Sequence, residues 1–205
     1  MLKKHPLLFI SHNFSRGMGI VETIVYVGVF LMIMLAIVTS IQYFYRTNNY
    51  SIQQASAVTS AQRGIDTMVR ELREAAYSSN GAYPIVSFGQ NDLRFYANVD
   101  TDPLIEEVHY YVQGTSLMRG VIDPSGDPPS YANPEVASAI SDNVRNVAHG
   151  IPIFTYYDTN GTQITDYTKI GDVRFISASV QVDVDPNRSP TPLTIRSSAA
   201  LRNLQ

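Results

Sequence analysis

An uninterrupted apolar stretch dominates the first quarter of the chain. Glu22 is the only charged side chain between Arg16 and Arg46. As a helix with a rise of about 1.5 Å per residue, the mostly apolar run over residues 20–45 is about 39 Å long. This length exceeds the roughly 30 Å hydrocarbon core of a bilayer. The pattern therefore predicts a membrane-spanning helix over residues 18–45.

The helical pattern continues beyond the apolar stretch. No proline interrupts residues 18–76, so a single helix is predicted to cover them. Over residues 46–76, apolar side chains recur every three or four positions and share one face. They are Val58, Ala61, Ile65, Met68, Leu72 and Ala75. We expect this stripe, with Ile65, Met68 and Leu72 at its centre, to pack on a β-sheet; a coiled-coil seam with another chain is the alternative.

From residue 77 onward, apolar and polar residues alternate, which is typical of β-strands. The predicted strands cover residues 93–99, 105–112, 151–157, 173–184 and 193–201. A short helical turn is predicted over residues 134–143, after a proline-rich loop. Strands without long helices between them favour antiparallel pairing. The chain is thus predicted to have an α+β fold, in which the long N-terminal helix packs on antiparallel sheet formed by residues 77–205.

The charge distribution indicates how the chain is oriented in a membrane. Lys3, Lys4 and Arg16 precede the apolar run, whereas Arg46 is the only basic residue between that run and Arg63. The positive-inside tendency then leaves the N-terminus cytoplasmic and the C-terminal domain outside. The four apolar residues at 7–10 are too few for the core of an ordinary secretory signal peptide.

Composition and charge argue against several classes of function. The formal net charge is −3, with no concentrated basic stretch, so the sequence does not support nucleic-acid binding. The absence of cysteine excludes disulfides and thiolate metal sites. No pair of histidines has metal-ligand spacing, and no serine lies in a nucleophile-elbow sequence. We therefore expect no enzymatic activity.

One loop is a weak candidate for calcium. Asp158, Asn160 and Asp166 contribute oxygen side chains at even spacings, which is how calcium loops begin. The loop lacks the glutamate that closes an EF-hand, and Asn160-Gly161 is a strong hairpin signal. A plain turn is the favoured interpretation.

The residues before the apolar run carry a recognisable signal. Residues 16–23 read Arg-Gly-Met-Gly-Ile-Val-Glu-Thr. They resemble the prepilin signal of type IV pilins and type II secretion pseudopilins. The resemblance implies that a prepilin peptidase cuts after Gly17 and methylates the new N-terminus at Met18. It also implies that residues 1–17 are a leader and that Glu22 is the fifth mature residue.

A physical role for Glu22 follows from such a cut. The new α-amino group would be cationic, and a neighbouring helix shifted along its axis brings its own amine beside this carboxylate. Each charge then neutralises the other within an apolar assembly, where an unpaired charge is costly. Two other roles remain open, namely a favourable interaction with the helix dipole and snorkelling at the membrane interface.

A weaker resemblance extends along the chain. Six segments look like those of J-type minor pseudopilins and W-type minor pilins; they cover residues 69–75, 110–112, 117–119, 142–144, 154–158 and 201–203. The resemblance implies a noncatalytic subunit of a filament, one that joins other minor subunits at the inner membrane and helps to start or cap assembly. Thr39 stands where many major pilins have a helix-breaking proline. The alternatives are a pilus-tip binding module for DNA, a surface or a secretion substrate, and a membrane-anchored enzyme.

Overall fold

The computed structural model describes residues 19–188 and 192–201. The chain divides into two compact units at Asn48 and Asn49. The predicted leader, Gly17 and Met18 lie outside the described residues.

The fold is α+β, as predicted. Helix α1 covers Ile20–Arg73. Nine strands follow in the described chain: β1 Ile85–Phe88, β2 Asp92–Ala97, β3 Glu106–Gln113, β4 Ser116–Ile122, β5 Val136–Ser141, β6 Phe154–Tyr157, β7 Gln163–Ile164, β8 Phe175–Val182 and β9 Leu193–Ala200. A short 3₁₀ helix, Ile170–Asp172, precedes β8.

The strands form two antiparallel sheets. The first has the order β1-β2-β3-β4-β5 and the second the order β7-β6-β8-β9. Strand β8 alternates between buried and half-exposed side chains along most of its length, as its period-two sequence predicts. Adjacent tyrosines occur at positions 110–111 and 156–157; Tyr110 and Tyr156 are buried, whereas Tyr111 and Tyr157 are half-exposed.

The C-terminal turns of α1 belong to the core of the second unit. Ile65, Met68 and Leu72 are at most 1% exposed and share one hydrophobic cluster with residues of both sheets. Gly64 lies in the same stretch, opposite Ile140 of β5. A Cβ atom at Gly64 would come within 3.2 Å of the Ile140 Cδ1 atom. A side chain would therefore crowd β5 at this point.

Helix α1 ends at Arg73, three residues before the predicted end. The reason is a competing hydrogen-bond partner. Ala75 forms an isolated bridge with Ala97, and the Ala76 N–H donates to the Tyr96 carbonyl at 2.9 Å. The backbone after Arg73 therefore pairs with the end of β2 instead of continuing the helix.

The prediction of a helical turn over residues 134–143 is wrong. Val136–Ser141 is strand β5, which pairs with β4 in an antiparallel register. Most of its side chains are exposed, so no clear apolar alternation marked it in the sequence. The open edge of β4 supplies the backbone hydrogen bonds that a local pattern does not reveal. Strands β1, β4 and β7 were not predicted either.

Candidate functional site: the N-terminal helix

The first part of α1 is an exposed apolar surface. Residues 20–49 are all exposed, and this stretch contains most of the large exposed hydrophobic side chains described. By length and composition, α1 is one helix that can cross a membrane. A single-pass arrangement, with one apolar helix near the N-terminus, is consistent with this finding.

Three polar side chains in this part of α1 form hydrogen bonds within the helix. The Tyr26 hydroxyl donates to Glu22 Oε1 at 3.3 Å. Thr39 Oγ1 donates to the Leu35 carbonyl at 2.9 Å, and Thr23 Oγ1 donates to the Gly19 carbonyl at 3.3 Å. These bonds return toward the preceding turn, which lowers the cost of placing hydroxyl groups in apolar surroundings.

Glu22 thus has a hydroxyl donor but no ion-pair partner among the described residues. Its side chain is exposed, one turn into the helix. A positively charged group from outside the described chain has free access to it.

A buried ion pair links the C-terminal part of α1 to the first sheet. Arg119 Nη2 lies 2.7 Å from Glu71 Oε1, and Arg119 Nε donates to both carboxylate oxygens at 3.1 Å. The Tyr110 hydroxyl donates to Glu71 Oε2 at 2.6 Å. Burial, followed by the charge and the hydrogen bond of Glu71, raises the pKa of Tyr110, so the hydroxyl stays a donor.

Sequence reasoning missed Glu71 as a structural residue. A signal was present, because Glu71 lies three residues after Met68 and four before Ala75. These spacings place its carboxylate on the apolar stripe. A charged residue on a buried face needs a partner, and Arg119 lies in a segment that the family resemblance had already singled out.

A second polar network lies on another part of the first sheet. His109 Nε2 is 2.7 Å from Asp92 Oδ2, and His109 Nδ1 is 3.0 Å from Glu135 Oε1. Arg94 bonds to Glu107 at 2.9 Å and to Glu135 at 3.4 Å. The network therefore joins β2 and β3 to the residue that precedes β5.

The predicted calcium residues form turns. Asp158 Oδ1 accepts the N–H groups of Asn160 and Thr162 at 2.8 Å. Asp166 Oδ1 accepts the N–H and the hydroxyl of Thr168, and these bonds lower the pKa of Asp166. Asp158 and Asp166 line one open pocket of about 190 Å³, whose lining does not include Asn160.

A different acidic group was missed. Asp100, Asp102 and Glu106 each offer an oxygen within 4.8 Å of the other two, and they are the one group of three such ligand residues in the described chain. Burial raises the pKa of Glu106, the Val99 N–H counteracts this, and Asp100 and Asp102 raise it further. The signal in the sequence was the even spacing of the three acids.

No protein-family model matches the chain, and no curated protein matches it in a sequence comparison. The fold itself defines the class to which the molecule belongs. It is an α+β protein with one long apolar N-terminal helix packed, in its later turns, on antiparallel sheets.

Proposed function

We propose that this protein is a minor type IV pilin or pseudopilin. In this role it is a noncatalytic filament subunit that helps to initiate or cap a type IV pilus or a type II secretion pseudopilus. The observation that carries the proposal is the difference in exposure between the early and the later turns of α1. Its early turns expose an apolar surface with Glu22 as the one charged side chain, and its later turns lie in the core of a β-rich domain.

The exposed apolar part of α1 supports filament assembly by packing against the helices of other subunits. An exposed apolar helix is shielded from water in a bilayer, and packing among similar helices in a filament core also shields it. Transfer between the two surroundings leaves the folded domain unchanged. Other pilins or pseudopilins would therefore be the partners of this helix.

Glu22 is proposed to set the register of that packing. After cleavage at Gly17, the methylated amine of Met18 on one subunit would pair with the Glu22 carboxylate of its neighbour. Tyr26 already orients this carboxylate through a hydrogen bond. Pairing removes the cost of an isolated charge in apolar surroundings, so it favours the assembled state.

The proposal includes a route through the cell. The subunit would enter the inner membrane with residues 1–17 in the cytoplasm and the β-rich domain outside. A prepilin peptidase would process it, and the inner-membrane assembly platform would pass it into a periplasmic or extracellular filament. The basic residues that precede the apolar run support this orientation.

Processing tests the proposal. Coexpression with a prepilin peptidase should shorten the chain by 17 residues, as measured by intact mass, and should leave a methylated Met18. Gly17→Val should abolish the cut. Gly19→Ala is the matched control, because a Cβ atom there has no neighbour within 4 Å. An unshortened wild-type chain, or a cut beyond about residue 40, would contradict the proposal.

A further inference from the structure

The loop between β2 and β3 gathers three carboxylates at one point. Asp100 and Asp102 lie in the loop, and Glu106 is the first residue of β3. One oxygen of each lies within 4.8 Å of an oxygen of the other two. Like charges at this separation repel, so the arrangement is unfavourable unless a proton or a cation joins it.

Glu106 has an unsatisfied oxygen in a buried position. Glu106 is only 1% exposed, and its Oε2 atom accepts a hydrogen bond from the Val99 N–H at 2.8 Å. Oε1 is buried and has no hydrogen-bond partner in the described part of the chain. Buried carboxylate oxygens are nearly always satisfied, so an atom of this kind points to a ligand that completes it.

The two aspartates hold the loop in a suitable shape. Asp100 Oδ1 accepts the Asp102 N–H at 2.8 Å, and Asp102 Oδ1 accepts the Leu104 N–H at 2.7 Å. The Asn98 amide donates to the carbonyls of Asp102 and Leu104. A carboxylate has two oxygens, so each aspartate can shape the loop with one and bind a cation with the other.

We propose that Asp100, Asp102 and Glu106 form a calcium site. The donor set consists of hard carboxylate oxygens, which suit calcium and magnesium and not softer metals. Calcium binds oxygen at about 2.3–2.6 Å, so its ligands lie up to about 5 Å apart, and it tolerates irregular geometry. Magnesium requires near-ideal octahedral geometry at about 2.0–2.1 Å, which a loop of this spread meets less well.

The site lies where three segments of the domain meet. The Ile105 N–H, next to Glu106, donates to Ser79 Oγ at 2.8 Å, in the segment that follows α1. The Ile105 carbonyl accepts from the Tyr131 hydroxyl at 2.6 Å, in the loop before β5. Calcium bound at Glu106 would fix the β2–β3 loop against both segments. Its binding should therefore stabilise the whole domain.

The test uses the full-length protein in detergent after treatment with a chelator. Extracellular calcium-binding modules have dissociation constants of about 0.1–1 mM. If the constant is near 0.1 mM, about 10 mM calcium chloride should raise the unfolding temperature by roughly 5–10 °C. Magnesium at the same concentration should produce a much smaller shift. Terbium luminescence gives a second readout, with Tyr131 as the expected sensitiser, because its hydroxyl donates to the carbonyl of Ile105, the residue before Glu106.

Three variants decide the assignment. Glu106→Gln should remove the calcium-induced rise in unfolding temperature and weaken terbium binding at least tenfold. Asp100→Asn, at a more exposed position, should have the same two effects, and it serves as the test if Glu106→Gln does not fold. Asp158→Asn is the matched control, because an amide oxygen can replace Asp158 Oδ1 in its turn; it should retain the full shift. No calcium shift in the wild type, equal shifts with magnesium, or a shift that persists in both Glu106→Gln and Asp100→Asn would overturn the proposal.

Discussion

Arg119 on β4 donates hydrogen bonds to the Glu71 carboxylate on α1 from both Nε and Nη2, and the shortest of these contacts is 2.7 Å. The two residues are 48 positions apart in the sequence. The Glu71 side chain is only 6% exposed, whereas the Arg119 side chain is 21% exposed. The pair therefore fixes the last turns of the helix against the sheet at one defined position along both elements.

Removal of one partner of this ion pair should strongly destabilise the protein. Glu71→Ala leaves the Arg119 guanidinium and the Tyr110 hydroxyl without their acceptor, so we expect a loss of about 3–5 kcal/mol in the free energy of unfolding. Glu74→Ala, at an exposed position just beyond α1, should change it by less than about 0.5 kcal/mol. Chemical denaturation followed by the near-ultraviolet circular dichroism of the tyrosines measures both. A loss below about 1 kcal/mol for Glu71→Ala would mean that the pair contributes little.

Replacement of both partners by apolar residues should destabilise the protein much less. In Glu71→Leu combined with Arg119→Met, apolar side chains of similar length fill the same space without a charge to desolvate. The Tyr110 hydroxyl still loses its acceptor, so we expect the double variant to lie about 1–2 kcal/mol below the wild type and to be clearly more stable than Glu71→Ala. A double variant as unstable as the single one would show that the position needs the ion pair itself.

Leu72 tests the packing of the helix on the sheets. Its side chain is fully buried, so Leu72→Ala should cost about 2–5 kcal/mol through lost burial and a residual cavity. Ile52→Ala is the matched control on the same helix, because Ile52 is 60% exposed, and its cost should stay within about 0.5 kcal/mol. Equal costs for the two variants would contradict the assignment of Leu72 to the core.

Gly120 tests the second polar network. A Cβ atom at this position would overlap the Glu135 carboxylate, which lies directly over the glycine. Gly120→Ala should push Glu135 away from His109 and Arg94, with an expected cost of about 1–2 kcal/mol for the lost charge-assisted hydrogen bonds. The same measurement of unfolding applies.

Glu135→Ala provides the control for this interpretation. It removes the same hydrogen bonds and also the group with which the new methyl collides. Adding Gly120→Ala to Glu135→Ala should therefore cause little further loss, a clear departure from additivity. Additive effects would mean that the alanine acts on the backbone of β4 and not on Glu135.

Glu22 tests the proposed mechanism of assembly. Glu22→Gln is nearly isosteric and removes only the charge, so membrane insertion and cleavage should persist while recovery of the subunit in sheared filaments falls. Tyr26→Phe removes the hydrogen bond to Glu22 but keeps the charge, and should assemble much better than Glu22→Gln. The amount in filaments relative to the membrane is the readout. Wild-type recovery of the Gln variant would refute charge pairing, since dipole effects alone contribute only about 0.3–1 kcal/mol.

The sequence alone determined the elements whose patterns are local. The apolar run and its breaker-free continuation predicted one long helix, and the structure has it over Ile20–Arg73. Alternation predicted the strands that became β2, β3, β6, β8 and β9. These predictions succeeded because helix and strand periodicities are written in consecutive residues, and because burial on one face repeats at a fixed spacing.

Tertiary structure decided everything that depends on a distant partner. Strand β5 exists because β4 offers it an open edge, and α1 ends at Arg73 because β2 offers its backbone a competing hydrogen bond. The pairing of Glu71 with Arg119, and the meeting of the β2–β3 acids with the segments at Ser79 and Tyr131, likewise join residues far apart in sequence. A one-dimensional pattern records which side chains need a partner; only the folded chain determines which partner lies within hydrogen-bond distance.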